Sequence, residues 1–259
     1  MADRLYLSLW YPNFRLETLP AALTGVLRQF AIVGGKRVAA ASAYPINFTE
    51  PPTYQRIYVD TGQGVGIDRP EVDPVGSASD AAIEAAVAEA TEQLHDDMAY
   101  EFEMRWQLWA LENPNPNYAH VTLRPGIEDD PEPPDSDFDE PDFDEATLRN
   151  PDTPWKLRPH TVRILGFGPS FDVAGYEQNG HILVDFGLDA PWVPEPGQDT
   201  LEDQPIGEEA QLHVQQNVEK LLAFTLLVEK NCGISSRLLW TESGEPLAEK
   251  LIARLQRVH

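Results

Sequence analysis

Cysteine is almost missing from this 259-residue chain: Cys232 stands alone, which excludes an internal disulfide and any metal site built from several thiolates. Basic residues are scarce too, 19 Lys and Arg against 43 Asp and Glu, for a formal charge of −24. Phosphate backbones and anionic membranes are held by basic surfaces, so the charge argues against direct nucleic-acid binding and against membrane docking. Long apolar runs are absent. The strongest, Leu221–Val228, has eight residues, far short of the roughly 20 that cross a bilayer. Met1-Ala-Asp-Arg-Leu-Tyr-Leu has no basic region leading into an apolar stretch. No signal peptide is therefore expected, and the expected location is cytoplasmic.

What is present suffices for a core: 42% of residues are hydrophobic and 9% aromatic, more than an acidic disordered chain carries. Arg4–Trp10 alternates Leu5, Leu7, Leu9 with Tyr6, Ser8, Trp10, the period of a half-buried strand. Leu19, Leu23, Val26, Leu27 and Phe30 fall on one helical face, with Thr18 as N-cap and Gly34-Gly35 as terminator. Strands are expected near 37–44 and 54–60, and a helix over 78–97 with Ile83, Val87, Ala90, Leu94 and Met98 as its buried stripe. Glu101, Glu103, Arg105 and Gln107 then alternate with Phe102, Met104, Trp106 and Leu108, which predicts one wet and one buried strand face. The order β-α-β-β-α-β is that of ferredoxin-like units.

Regularity stops over residues 111–160, where ten prolines fall, apart from a short strand expected near 120–123. It resumes with strands near 162–167 and 181–186. A long helix follows over 208–230, with Val214, Val218, Leu221, Leu222 and Thr225 on one face. A strand at 237–241 and a last helix carrying Leu247, Leu251, Leu255 and Val258 complete the chain. The fold expected is α+β, with an antiparallel or mixed sheet, about four main helices and a ferredoxin-like start. Residues 1–124 and 161–259 flank an acidic, Pro-rich insert at 125–160, and the two flanks are compatible with one shared core.

The insert is the least ordinary feature. From Glu128 to Glu145, 11 of 18 positions are acidic and none is basic, and Asp137-Phe138-Asp139-Glu140 recurs as Asp142-Phe143-Asp144-Glu145. Proline removes backbone donors and like charges repel, so the segment reads as a solvated loop. Carboxylates would speed encounter with a basic protein, and the two phenylalanines would anchor it at short range. Against this stands a merely solubilising loop folded back on Lys156, Arg158 and Arg163. Calcium fails as an explanation of Asp135-Ser136-Asp137-Phe138-Asp139. An EF-hand needs glycine at position 6 and glutamate at position 12, where Glu140 and Ala146 stand.

Other motifs are incomplete. Gly62-Gln63-Gly64-Val65-Gly66 lacks the helix that must open directly behind a phosphate-binding loop. No Gly-x-Ser-x-Gly and no Gly-Lys-Ser/Thr occurs. The six histidines form no metal-ligand spacing. Cys232 follows a helix C-terminus, where the dipole raises a thiol's pKa. Trp106, Trp109, Trp155, Trp192 and Trp240 would line a groove or, more ordinarily, pack the core and its rim.

The sequence therefore points to a non-catalytic, acidic interaction module binding a basic protein, in the manner of an inhibitor or immunity protein. Its contact residues would be Asp135, Asp137, Phe138, Asp139, Glu140, Asp142, Phe143, Asp144 and Glu145. Neither cofactor nor metal is expected. One alternative is a DNA mimic. The other is an enzyme assembled from His181, His120, Asp185 and Glu101.

Overall fold

The computed structural model describes residues 3–34, 38–45, 50–58, 80–111, 155–171, 179–193 and 208–244. Along the chain run β1 (Arg4–Trp10), a 3-10 turn (Leu16–Thr18), α1 (Leu19–Val33), β2 (Val38–Pro45), β3 (Tyr54–Ile57) and α2 (Asp80–Ala90). They are followed by β4 (Met98–Leu111), β5 (Trp155–Phe167), β6 (Ile182–Leu188), α3 (Glu208–Asn231) and β7 (Ser236–Thr241). The strands form one sheet in the order β3-β2-β4-β5-β6-β1-β7, antiparallel at every neighbouring pair. The fold is thus α+β.

Alternation decides which side chains meet the helices. Leu5, Leu7 and Leu9 of β1, Phe102, Met104, Trp106 and Leu108 of β4, and Ile182, Val184 and Phe186 of β6 all point to one face. There they join Leu19, Leu23, Val26, Leu27 and Phe30 of α1, Ile83 and Val87 of α2, and Leu221, Phe224 and Val228 of α3. At the centre, the Trp106 ring lies 5.3 Å from Phe30, 5.9 Å from Phe186 and 6.1 Å from Trp192. Phe224 of α3 touches the same group. Residues from both flanks of the insert thus occupy one sheet and one aromatic core. A smaller cluster of Ala99, Leu165, Phe167, Phe171 and Leu183, with Tyr6 and Trp240 against it, lies on the second face.

Several expectations need correction. The β-α-β-β-α-β order is present, but β1 is not part of a four-stranded unit with β2, β3 and β4. It pairs with β6 and β7 instead. Alternation marks a half-buried strand without naming its neighbours. Three helices are found among the described residues; the helix expected over 247–258 and the strand near 120–123 lie outside them.

The second helix ends at Ala90 rather than Asp97. Beyond it Tyr100, reaching in from β4, takes over the hydrogen bonding: its hydroxyl accepts from the His95 N–H (2.8 Å) and donates to the Gln93 carbonyl (3.0 Å). Met98 accordingly opens β4. β5 begins at Trp155, inside the stretch assigned to the insert, and pairs with β4 through to its end, Leu111 opposite Trp155.

On α3 the buried stripe is His213, Asn217, Leu221, Phe224, Thr225 and Val228, while Leu222 points outward. The polar Asn217 sits in core phase because β4 outruns β2. Among the described residues β2 covers β4 from Met98 to Met104, and the later residues have an edge that no described strand pairs. Asn217 serves that edge, accepting from the Trp109 N–H (3.0 Å) and donating to the Trp109 carbonyl (2.9 Å). The same amide reaches the Pro191 carbonyl at 2.8 Å, and Lys220 donates to the Gln107 carbonyl at 2.8 Å.

Candidate functional site: a charged row on the second sheet face

Among the described residues, all three helices pack on one side of the sheet, and the second face carries the charged side chains that the strands bring together. Registers place Glu103 opposite Arg163, Arg163 opposite Asp185, Asp185 opposite Tyr6 and Tyr6 opposite Trp240. Directly opposed residues of antiparallel strands share a face, so these five form a row across β4, β5, β6, β1 and β7.

Asp185 is the hub. Its Oδ2 accepts from Arg4 Nη2 at 2.5 Å and from Arg163 Nη2 at 2.6 Å, and it is 5% exposed. Its Oδ1 accepts the Gly187 N–H at 2.8 Å. Gly187 has φ of +75°, and here the β1–β6 register slips: Tyr6 faces Asp185 while Arg4 faces Leu188. This bulge turns the Gly187 amide back onto the carboxylate.

Glu101 lies one residue pair along, 8% exposed, with its Oε2 3.8 Å from Arg163 Nη1. The alternation that predicted a wet face for β4 thus fails at Glu101. Burial pushes its carboxyl above the ordinary carboxylate range; Arg163 opposes the rise, while Glu103 and Asp185 add to it. Beside the charges, Tyr6 stacks on Trp240 at 4.6 Å, and Trp240 Nε1 donates to Ser8 Oγ at 2.9 Å. Burial, then Asp185, raise the Tyr6 hydroxyl above its usual pKa, and Arg4 opposes them.

Two of the four residues named for an enzyme, Asp185 and Glu101, therefore lie on either side of Arg163. His181 stands apart from them: its Nδ1 accepts the Tyr11 N–H at 2.9 Å and its ring stacks on Phe14 at 4.1 Å. Burial lowers its pKa, so the neutral form with the proton on Nε2 is favoured. His120 lies outside the described residues. Cys232 is half-buried just past the C-terminal end of α3, and burial pushes its thiol up to about 11. Among the described residues no group of three or more His, Cys, Asp or Glu is placed to hold a metal. Nor is any helix among them long and apolar enough to cross a membrane.

Asp135, Asp137, Phe138, Asp139, Glu140, Asp142, Phe143, Asp144 and Glu145 all lie outside the described residues, as does the Gly62–Gly66 loop. What is placed is the pair of strands the acidic segment joins. Arg163, named as a partner for that segment, pairs with Asp185 at 2.6 Å and lies 3.8 Å from Glu101. Of the tryptophans, Trp106 and Trp192 are buried in the core, whereas Trp109 and Trp155 flank the His213 ring at 4.0 and 5.4 Å.

Sequence reasoning did not single out Arg4, Arg163 as an Asp185 partner, or Asn217. For Asn217 a signal existed, since it sits at core spacing between His213 and Leu221. For Arg4 and Arg163 none did, because exposed strand positions carry arginine routinely. No family model, curated protein or solved structure matches the chain.

Proposed function

We propose that the protein is a non-catalytic acidic interaction module that binds a basic protein in the cytoplasm, as inhibitors and immunity proteins do. The observation that carries this reading is the concentration of charge between two paired strand ends. Residues 112–154 hold 13 acidic residues against Arg124 and Arg149, a net −11 of the chain's −24. Leu111 and Trp155, which bracket them, stand directly opposite each other in the β4–β5 ladder. The acidic segment is thus anchored at both ends on the two longest strands of the sheet. Its carboxylates raise the encounter rate with a positive surface, and Phe138 and Phe143 contribute contacts that salt does not screen.

The nine residues Asp135, Asp137, Phe138, Asp139, Glu140, Asp142, Phe143, Asp144 and Glu145 form the proposed contact set. Affinity capture from the native host at low and high salt tests it. The wild-type chain should retain a basic protein at low salt and release it as salt rises, and a chain with the seven acids amidated and both phenylalanines changed to alanine should retain none. Equal capture by both chains would sink the reading.

A further inference from the structure

His181 stands at the entry to β6 with its backbone held on both sides. Its N–H donates to the Leu9 carbonyl at 2.9 Å, and its carbonyl accepts the Phe167 N–H at 3.1 Å. Leu9 is also bridged to Gly180, where a Cβ would lie 2.7 Å from the Leu9 carbonyl oxygen, so the two backbones are in close contact. The imidazole is thus aimed from a fixed base at the segment that leaves β1. There its Nδ1 accepts the Tyr11 N–H at 2.9 Å, and its ring stacks on Phe14 at 4.1 Å and on Tyr11 at 6.4 Å. The segment itself is held less firmly. Pro12 carries no N–H, Pro12 and Asn13 are exposed, and Asn13 has φ of +50°, a conformation uncommon outside glycine.

We propose that His181 is a proton-operated latch on residues 11–18, fastening the Tyr11 amide while Nδ1 is bare and releasing the segment when Nδ1 takes up a proton. A neutral imidazole has one ring nitrogen that accepts, whereas an imidazolium has two that donate. Protonation therefore sets two N–H groups against each other at Tyr11. The His181 backbone is pinned to Leu9 and Phe167, so the exposed segment is the side that gives way. The titratable groups facing His181 from the described elements are Tyr11 and, behind it, Cys232 past the end of α3. Burial raises both, so each stays neutral through the acid range. Burial also holds the His181 ring below its ordinary pKa while the segment is closed. Opening restores the ordinary value, about 6.5, so proton uptake favours the open segment as pH falls below that value. Opening uncovers Phe14 and Leu16, which pack against the main core, and frees the 3-10 turn that leads into α1.

Nuclear magnetic resonance of the full chain between neutral and mildly acid pH tests the latch. The ring signals of His181 give its midpoint, and hydrogen exchange of the Tyr11 amide, corrected for its intrinsic pH dependence, reports closure. Protection of Tyr11 should fall about tenfold per pH unit from about 6.5 down to the ring's midpoint and level off below it, as release of a single proton-linked contact requires. The Leu7 amide, inside β1, should keep its protection. His181→Asn places an acceptor oxygen where Nδ1 stands and does not titrate, so its Tyr11 protection should be independent of pH over the same range. Constant protection in the wild type, a loss that does not follow the His181 ring, or the same loss in His181→Asn overturns the proposal. Should that variant fail to fold, the match between ring and amide in the wild type decides alone.

Discussion

Asn217 shows how much one polar side chain settles. It is fully buried, yet it satisfies the Trp109 N–H, the Trp109 carbonyl and the Pro191 carbonyl at once, and its own carbonyl accepts from Trp192 Nε1 at 3.2 Å. Each buried group left without a partner costs about 1–3 kcal/mol, so Asn217→Ala should lower unfolding free energy by roughly 2–4 kcal/mol. Urea unfolding should show a lower midpoint with an unchanged slope. Asn217→Asp keeps the acceptor but removes both donors and is expected to lose nearly as much. Glu101 carries the opposite lesson. Its folded-state pKa lies above the unfolded one, so its favourable contribution is fully present below the unfolded value and is lost as pH rises through the folded value. Glu101→Gln should therefore gain stability relative to wild type as pH goes from about 4 to about 7, while Arg163 keeps its bond to Asp185. Unfolding curves at the two pH values decide this, and a flat difference would refute the assignment.

At the scale of elements, the β6 bulge fixes the charged row. Gly187 needs its positive φ to return its amide to Asp185, and a Cβ there would sit 3.3 Å from Nε2 of His160, whose ring is held edge-on to Trp192. A left-handed conformation costs an ordinary residue about 1–2 kcal/mol, so Gly187→Ala should destabilise by at least that much. If the bulge positions Asp185, the same variant should also loosen the Arg4 and Arg163 contacts, readable as chemical-shift changes at both guanidinium groups. Periodicity made β1 and α1 legible with nearly their observed bounds and found the middle of β4, 101–108 of Met98–Leu111, because their side chains repeat between unlike environments. It overran α2 because Leu94 and Met98 continue the helical spacing, while the hydrogen bonds from Tyr100 that end the helix come from another strand. On α3 it found Leu221 and Thr225, which are buried, but misplaced Leu222, which is exposed. Val214 and Val218 are half-buried flanks of a stripe whose centre includes a histidine and an asparagine.

For the whole molecule, the ladder from Ala99–Phe167 to Leu111–Trp155 makes the acidic segment a hairpin connection. Replacing residues 112–154 with a four-residue turn should leave the fold intact and raise stability by roughly 2 kcal/mol from loop-closure entropy alone. The same deletion should abolish salt-sensitive capture of a basic partner. Thermal unfolding together with the capture assay separates the two effects, and a deletion that unfolds the chain would refute the hairpin placement. The sequence by itself determined most strand and helix positions, the residues of the main core and the concentration of charge in one segment. Those properties are written in local spacing and composition. Only the tertiary structure decided that β1 lies between β6 and β7, that Arg4, Asp185, Arg163 and Glu101 meet, and that Asn217 closes the edge of β4. Each of these joins residues far apart in the chain, and a period of two residues gives the face of a strand but not its neighbour.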